Sequence, residues 1–229
     1  AAWEEHRASF AARTRLLNDQ RFDALHYANA AGTDFTVGLT KKHLWNGGGD
    51  ITVDKTPFFP NIPTEEIFTT PDRLRADGTV VSALPLIHNG TLIDGFSITF
   101  ENGAVIDFSA EQGYETLKSI IETDENARRL GEVALVPFAS PIRETGILFF
   151  NTLYDENASC HLALGQGFPD CYEGGTEMDS EALLEAGVNK SATHVDFMIG
   201  TEDLQIEGIK ADGEVVSVFE KGNWAGIFA

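Results

Sequence analysis

The sequence predicts an α+β protein with a β-rich mixed core and flanking helices. Runs of alternating apolar and β-branched residues recur along the chain, as in residues 33–39 and 193–200. The pair Asn102-Gly103 lies between two such runs and is typical of a β-hairpin turn. Apolar residues at helical spacing occur near the N-terminus and within residues 112–125.

The N-terminal third predicts helices followed by a strand and a loop. Residues 3–17 and 19–31 are expected to form two helices, because Asn18-Asp19 offers a break and a new N-cap. Residues 33–39 are expected to form a strand. Residues 41–50 contain three consecutive glycines and are interpreted either as a flexible turn or as a pocket lip where His43 or Trp45 touches substrate.

The remaining elements follow from the same patterns. Residues 57–71 contain four prolines, so they are expected to be extended rather than helical. A helix is predicted over residues 112–125. Strands are predicted over residues 79–85, 91–100, 104–109, 131–136 and 193–200, and over 204–209 and 214–220 as a last hairpin.

Composition restricts the partners and the compartment. The 229 residues carry a net charge of -20, which would repel nucleic acid and anionic membrane but attract divalent cations and free amines. Only two cysteines are present, so a reducing compartment, the cytoplasm, is expected. No apolar run approaches the ~20 residues of a membrane span, and no signal peptide is recognisable. The chain begins AAWEEHRASF without Met, and we expect it to be part of a longer protein.

The candidate chemistry centres on residues 155–167, DENASCHLALGQG, where Glu156 precedes His161 and a small, glycine-rich run. Further imidazole and carboxylate side chains that could bind the same metal lie at Thr64-Glu65-Glu66, at Glu132, and at His194 with Asp196. Imidazole and carboxylate ligands suit Zn²⁺, Co²⁺ or Mn²⁺. We interpret these segments as converging on a site for two metal ions, built from loops and strand ends.

Taken singly, each of these residues has an ordinary interpretation. His161 alone would more often be a buried or surface histidine than a ligand, and Glu132 at a strand start is usually solvated. His194 and Asp196 also fit a plain exposed strand. Glu156 and His161 are five residues apart and do not share a helix face, so a turn must bring them together.

Four motifs in order resemble one family. PNIPTEEIFTTP, LGEVALV, DENASCHLALG and THVDFMIGTEDLQIEG are similar to metallo-aminopeptidases of the aminopeptidase T, aminopeptidase S and PepS type. The resemblance implies that residues 1–229 are the C-terminal metal-binding catalytic domain of a longer aminopeptidase, without the family's N-terminal domain. It also implies peptide substrates with a free N-terminus and a homodimer whose active site faces an enclosed cavity.

The resemblance also implies roles for single residues. The metal ligands would be Glu66, Glu132, His161, His194 and Asp196, with Glu132 bridging two ions. Glu156 would be a further ligand.

Three other positions bear on catalysis. The family has a Tyr seven residues after the first His; here that position is Phe168, and Tyr172 is a candidate to supply the missing hydroxyl. Glu65 is interpreted either as the proton acceptor for the attacking water or as a group that orients a ligand. Two ions would lower the pKa of that water and polarise the carbonyl of the first peptide bond.

Two other functions fit the same residues. One is a different dinuclear amidohydrolase. The other is a catalytically inactive fragment that acts as a metal-stabilised dimerisation or interaction domain.

Overall fold

A computed structural model describes residues 2–229 as two packed antiparallel sheets with few helices. The helices are α1 Ala2–Gln20, α2 Tyr114–Ile121, α3 Pro141–Glu144, α4 Thr152–Asp155 and α5 Ser180–Glu185. The strands are β1 Ala24–Ala28, β2 Asp34–Leu39, β3 Asn46–Gly47, β4 Asp50–Ile51, β5 Pro57–Phe58, β6 Ile67–Thr69, β7 Pro71–Val81, β8 Leu86–His88, β9 Thr91–Glu101, β10 Ala104–Gln112, β11 Leu130–Leu135, β12 His161–Gly165, β13 His194–Met198, β14 Gln205–Ile209, β15 Val215–Glu220 and β16 Asn223–Trp224. The predicted α+β class is confirmed.

The strands form one large sheet, one smaller sheet and a short ribbon. The large sheet has nine strands in the order β10-β9-β7-β2-β1-β14-β15-β16, with β8 paired to β9. The smaller sheet has five strands in the order β13-β12-β11-β6-β3, and β4 pairs with β5. Every candidate metal ligand except Glu156 lies on or next to a strand of the five-stranded sheet.

The hydrophobic core is continuous between the two sheets. Leu25 and Ile98 of the large sheet and Leu162 of the smaller one are completely buried in the same cluster. The rings of Phe96 and Phe197 meet edge to face across it, with centroids 6.1 Å apart. The five-stranded sheet therefore has one face in the core, and its other face is available for chemistry.

The predicted hairpin at Asn102-Gly103 is confirmed between β9 and β10. Both residues have left-handed backbone conformations, with φ of 51° and 79°. This pattern matches the twist of paired strands and explains why Asn-Gly is favoured there.

The prediction for residues 19–31 is wrong. A single helix runs to Gln20, Arg21 adopts a positive φ of 49°, and the chain then forms β1 instead of a second helix. Leu25 and Tyr27 are completely buried, and β1 is hydrogen-bonded between β2 and β14. The Ala- and Leu-rich composition favours a helix, but pairing on both sides of the strand overrides that preference.

Several other boundaries differ while the type of element is right. β7 begins at Pro71, eight residues before the predicted start, and α2 is shorter than predicted. The strands predicted over residues 33–39, 131–136 and 193–200 are confirmed as β2, β11 and β13, and the last hairpin as β14 and β15. Within residues 2–229, none of the helices is long and apolar enough to cross a membrane.

The hairpin turns give a matched test of backbone crowding. Gly103 and Gly213 both have positive φ, 79° and 88°, but a Cβ at Gly103 would collide with the Arg73 carbonyl, whereas one at Gly213 meets open space. We expect Gly213→Ala to lower the free energy of unfolding by ~1–2 kcal/mol, from left-handed strain alone. Gly103→Ala should cost ~1–3 kcal/mol more, because of the collision. Urea unfolding of both variants measures the difference; equal losses would contradict it.

Candidate metal centre

The central strand β12 separates the core from the candidate site. Side chains alternate between the two faces of a strand, so His161, Ala163 and Gly165 share one face. Leu162 and Leu164 face the other way and belong to the hydrophobic core. The site face therefore carries one imidazole and two small residues.

Strand register places three further polar groups on this face. Glu132 of β11 and Asp196 of β13 lie directly opposite Ala163, one on each side. His194 lies opposite Gly165. Because directly paired residues share a face, these side chains converge over a position where Ala163 provides only a methyl group. The small residues leave room for ions and water between the ligands.

Glu66 reaches the same face from the strand on the other side of β11. Phe68 of β6 pairs with Ala134, which in turn pairs with His161. Glu66 is two residues before Phe68 and therefore on the same side of the chain. Its Oε2 lies 3.1 Å from Nε2 of His161.

The five side chains form two groups of three that share Glu132. Glu66, Glu132 and His161 form one group, and Glu132, His194 and Asp196 form the other; within each, the potential ligand atoms lie within 4.8 Å of one another. His194 Nε2 is 3.1 Å from Glu132 Oε2 and 3.2 Å from Asp196 Oδ1. Ligands around one ion at ~2.0–2.2 Å fit this spacing.

Backbone carbonyls orient both imidazoles. Nδ1 of His161 donates to the Ser159 carbonyl at 3.0 Å, and Nδ1 of His194 donates to the Gln166 carbonyl at 2.7 Å. A carbonyl can only accept, so the Nδ1 atoms carry the protons and the Nε2 atoms face the carboxylates. This arrangement is typical of metal-binding histidines, because a neutral Nε2 has its lone pair directed at the ion.

The electrostatics of the group require compensating positive charge. Burial raises the pKa of Glu132 to about 7, despite its hydrogen bond from His194. Burial lowers the pKa values of both imidazoles, but hydrogen bonds and negative charges outweigh it. Glu66 leads the interactions that raise the pKa of His161 to about 10, and Asp196 leads those that raise the pKa of His194 to about 11. In the metal-free fold, the positive charges of the protonated imidazoles therefore offset the repulsion between the carboxylates, a role that bound cations could also fill.

Glu156 lines the same cavity but belongs to neither group of three. It follows α4 and opens a 3₁₀ turn, Glu156–Ala158, which leads to His161 and provides the turn that the spacing required. Burial raises its pKa to about 8; the charge of His161 opposes this, and the charges of Asp196, Glu66 and Glu132 add to it.

The structure does not bring Glu65 or Tyr172 into this cavity. The described residues that line it include neither. Oε1 of Glu65 lies 4.0 Å from Nε2 of His6, and its backbone N–H donates to Asn157 Oδ1 at 2.6 Å. Tyr172 forms an isolated β-bridge with His43. Phe168 does line the cavity, with its ring centroid 5.0 Å from that of His194.

The glycine-rich loop contributes backbone to the cavity, which has a volume of about 1180 Å³. Gly47, Gly48 and Gly49 all line it, which favours the pocket-lip interpretation of residues 41–50. His43 and Trp45 are only 2% and 1% exposed, however, so the prediction that one of them touches substrate at the pocket lip is wrong.

One side of the cavity was missed by sequence reasoning. α1 lines it with Arg7, Ala11, Thr14, Arg15 and Asn18. The spacing of these residues, every three to four positions, describes one helix face. The sequence contained that periodicity, but a polar helix face is ordinarily solvated.

The chain is similar in sequence to known peptidases. Residues 1–224 match the family model for thermophilic metalloprotease (M29). The chain is 51% identical to aminopeptidase 2 of Geobacillus stearothermophilus over 98% of its length and 54% of that protein's. It is 48% identical to aminopeptidase AmpS of Bacillus subtilis, again over 98% and 54%. The chain thus spans about half the length of the curated relatives that it matches.

Solved structures show the same relationship. Wild-type AmpT from Thermus thermophilus superposes with a TM-score of 0.93 at 44% identity, covering 98% of this chain and 55% of that one. A 2,5-dihydroxypyridine dioxygenase from Pseudomonas putida shares the fold at a TM-score of 0.64 and 16% identity, covering 100% of this chain and 61% of that one. By the family match and by these identities, the chain belongs to the thermophilic metalloprotease (M29) family of peptidases.

Proposed function

We propose that residues 1–229 form the catalytic domain of a metal-dependent aminopeptidase that releases N-terminal residues from peptides. The observation that carries the proposal is the pair of three-residue ligand groups that share Glu132. We propose Glu66 and His161 as ligands of one ion, His194 and Asp196 as ligands of a second, and Glu132 as the bridge. The donor set suits Zn²⁺, Co²⁺ or Mn²⁺.

Two divalent ions bound there would acidify a water molecule and polarise the carbonyl of the first peptide bond. The protein's own contribution is to fix the ligands before the ions arrive. The carbonyls of Ser159 and Gln166 orient the imidazoles, and the β-ladder fixes Glu132 and Asp196. The Phe168 ring packs against the His194 ring, with centroids 5.0 Å apart, and so restricts the orientation of that imidazole.

An aminopeptidase also has to recognise a free amino group. The cavity's acidic lining attracts an ammonium group electrostatically. That the matched relatives are named aminopeptidases supports this function over a different dinuclear amidohydrolase. Nothing supports the alternative of an inactive fragment, since all six proposed metal-site residues are present and line one cavity.

Hydrolysis needs a carboxyl group that carries a proton from water to the leaving amine. The contacts of Glu65 with His6 and Asn157 support its alternative role, orienting the loop that carries Glu66. We propose that Glu156 carries the proton, because it lines the cavity outside both ligand groups. Bound cations would lower its pKa from about 8 towards the neutral range. The metal content of a Glu156→Gln variant distinguishes this role from the other one proposed for Glu156, that of a sixth metal ligand.

We also propose a cytoplasmic homodimer. Both cysteines, Cys160 and Cys171, are buried and free, which suits a reducing compartment. Dimerisation is what the family resemblance implies, and light scattering of the purified protein tests it.

The metal proposal predicts the metal content of matched variants. Wild type should bind two equivalents of Zn²⁺ or Co²⁺ and cleave leucine p-nitroanilide. Glu132→Gln should lose both ions and Asp196→Asn one, because Glu132 belongs to both ligand groups. Metal analysis by mass spectrometry and the anilide assay measure these effects.

His26→Gln is the matched control. His26 also sits between two acids, with Nε2 2.8 Å from Asp34 and Nδ1 3.7 Å from Glu207, but on the outer surface. The His26→Gln variant should bind both ions and keep full activity. Two tightly bound ions in Glu132→Gln would contradict the bridging role.

A second pair of variants distinguishes the proposed roles of Glu156 and Glu65. Glu156→Gln should retain both ions and lower kcat by ~10²–10⁴-fold, the usual contribution of a general acid or base. Glu65→Gln should retain both ions and lower kcat by less than ~10-fold, because its role is indirect. Metal loss in Glu156→Gln would instead favour the ligand role, and the reverse kinetic pattern would restore Glu65 as proton acceptor.

Metal binding should release protons. The pKa values of His161 and His194 are raised above 6.5 in the metal-free fold, so both imidazoles are protonated at pH 7 and must lose a proton to ligate. Their contribution to metal-free stability is complete below pH 6.5 and is lost as the pH rises towards 10 and 11. Metal affinity should rise over the same range.

Titration calorimetry at pH 7, in buffers of different ionisation enthalpy, counts the released protons. Wild type should release at least one from each imidazole, and His194→Gln should release one fewer. Heats that do not depend on the buffer would contradict the protonated metal-free cluster.

A further inference from the structure

The cavity is acidic where the ligands lie and basic along α1. Its described lining contains six carboxylates, Asp50, Glu66, Glu132, Glu156, Asp170 and Asp196. Of the chain's 16 lysines and arginines, only Arg7 and Arg15 are among the described residues that line it. In a chain of net charge -20, Arg7 and Arg15 thus place two positive charges along one side of a cavity that is otherwise lined by acids.

The two arginines share one face of α1. They are eight positions apart, which corresponds to about 12 Å along the helix axis. Ala11 lies midway between them on the same face and also lines the cavity. The methyl group of Ala11 is too short to fill much of the space between the two longer side chains.

Neither guanidinium group is engaged by a protein carboxylate. Within residues 2–229, no ion pair involves Arg7 or Arg15; Arg7 lies over the ring of Phe59, 5.0 Å from its centroid. Arg13 on the same helix provides the contrast, since its Nε donates to the Phe228 carbonyl at 3.0 Å and its Nη1 to Ser9 at 2.7 Å. The hydrogen-bond donors on the cavity side are therefore available to a ligand.

We propose that Arg7 and Arg15 form a subsite for the C-terminal carboxylate of short peptide substrates. The inference rests on the proposed aminopeptidase function and adds a substrate class to it. A short peptide has an ammonium group at one end, which suits the acidic lining, and a carboxylate at the other. Guanidinium groups bind carboxylates through charge-assisted, often bidentate hydrogen bonds.

The charge distribution favours this ligand over an internal segment of a long chain. A free carboxylate would be repelled by the six acidic side chains unless cations compensated it. An internal segment of a polypeptide has no such charge and no need of the arginines. Two guanidinium groups about 12 Å apart along the helix offer contacts at two positions, and extended peptides lengthen by ~3.3–3.6 Å per residue.

The test compares a peptide that has a free C-terminal carboxylate with the same peptide amidated at its C-terminus. The metal-loaded chain is assayed with Leu-Gly-Gly and with Leu-Gly-Gly-amide, and kcat/KM for the acid is divided by that for the amide. Wild type should favour the acid by ~10-fold or more, the usual effect of a hydrogen bond to a charged group. The double variant Arg7→Gln/Arg15→Gln should bring the ratio close to one. Because both peptides are measured on each variant, a general change in activity cancels.

Arg13→Gln is the matched control, because Arg13 lies on α1 with its contacts outside the cavity. It should keep the wild-type ratio. An acid-to-amide ratio near one in wild type would overturn the proposal, and so would a preference for the acid that survives in the double variant.

A binding measurement separates this proposal from the catalytic one. Calorimetry gives the Kd of a Leu-Gly-Gly analogue whose first peptide bond is reduced to CH₂–NH, as acid and as amide. Wild type should bind the acid ~10-fold or more tightly, and the double variant should bind both alike. If no peptide or anilide were cleaved, the proposed function would fail, yet the Kd ratio would still decide on the subsite.

Discussion

The two-residue period of β12 is the constraint on which the rest of the site depends. Leu162 and Leu164 commit one face of the strand to the core, so His161, Ala163 and Gly165 are forced onto the other. The strand's neighbours are fixed by the same ladder. A shift of one residue in register would bury the ligands in the core and expose the leucines. The chemistry of the site is therefore stabilised by the same contacts that stabilise the fold.

The second constraint is electrostatic. Glu132 is 4% exposed and lies within reach of two histidines and two further acids. Burying several carboxylates together is costly unless cations or protons compensate them. Without metal, protons on the imidazoles do so. If the proposed ions bind there, they would take the place of these protons, and the stability of the fold, its pH dependence and its affinity for metal would then depend on one set of atoms.

The fold alone does not determine the reaction. A dioxygenase with 16% identity shares this architecture, whereas aminopeptidases share both the architecture and nearly half of the residues. We therefore argue function from the side chains on one face of the five-stranded sheet and not from the fold. Arg7 and Arg15 of α1 line the same cavity, and our proposed carboxylate subsite would make them part of substrate selection.

Much of the fold and site was predictable from the sequence, for identifiable reasons. Alternation and the Asn-Gly turn are local, so eight of the sixteen strands within residues 2–229, and the β9–β10 hairpin, were found. The strand β12 was not predicted. β1 was missed because its burial comes from pairing with β14, some 180 positions later in the chain. The candidate metal ligands came from motifs, but their convergence depends on strand register, which single motifs do not encode. Glu65 and Tyr172 were chosen by proximity in sequence, and neither is among the described residues that line the cavity.

The most direct test of the central claim is the location of the ions themselves. Anomalous diffraction from crystals of the zinc-loaded protein, collected above the zinc edge, gives their positions without reference to activity. The account predicts two peaks on the site face of the five-stranded sheet, one beside each imidazole Nε2, with a Glu132 oxygen bonded to each. A single peak, or peaks away from Glu132, would contradict it.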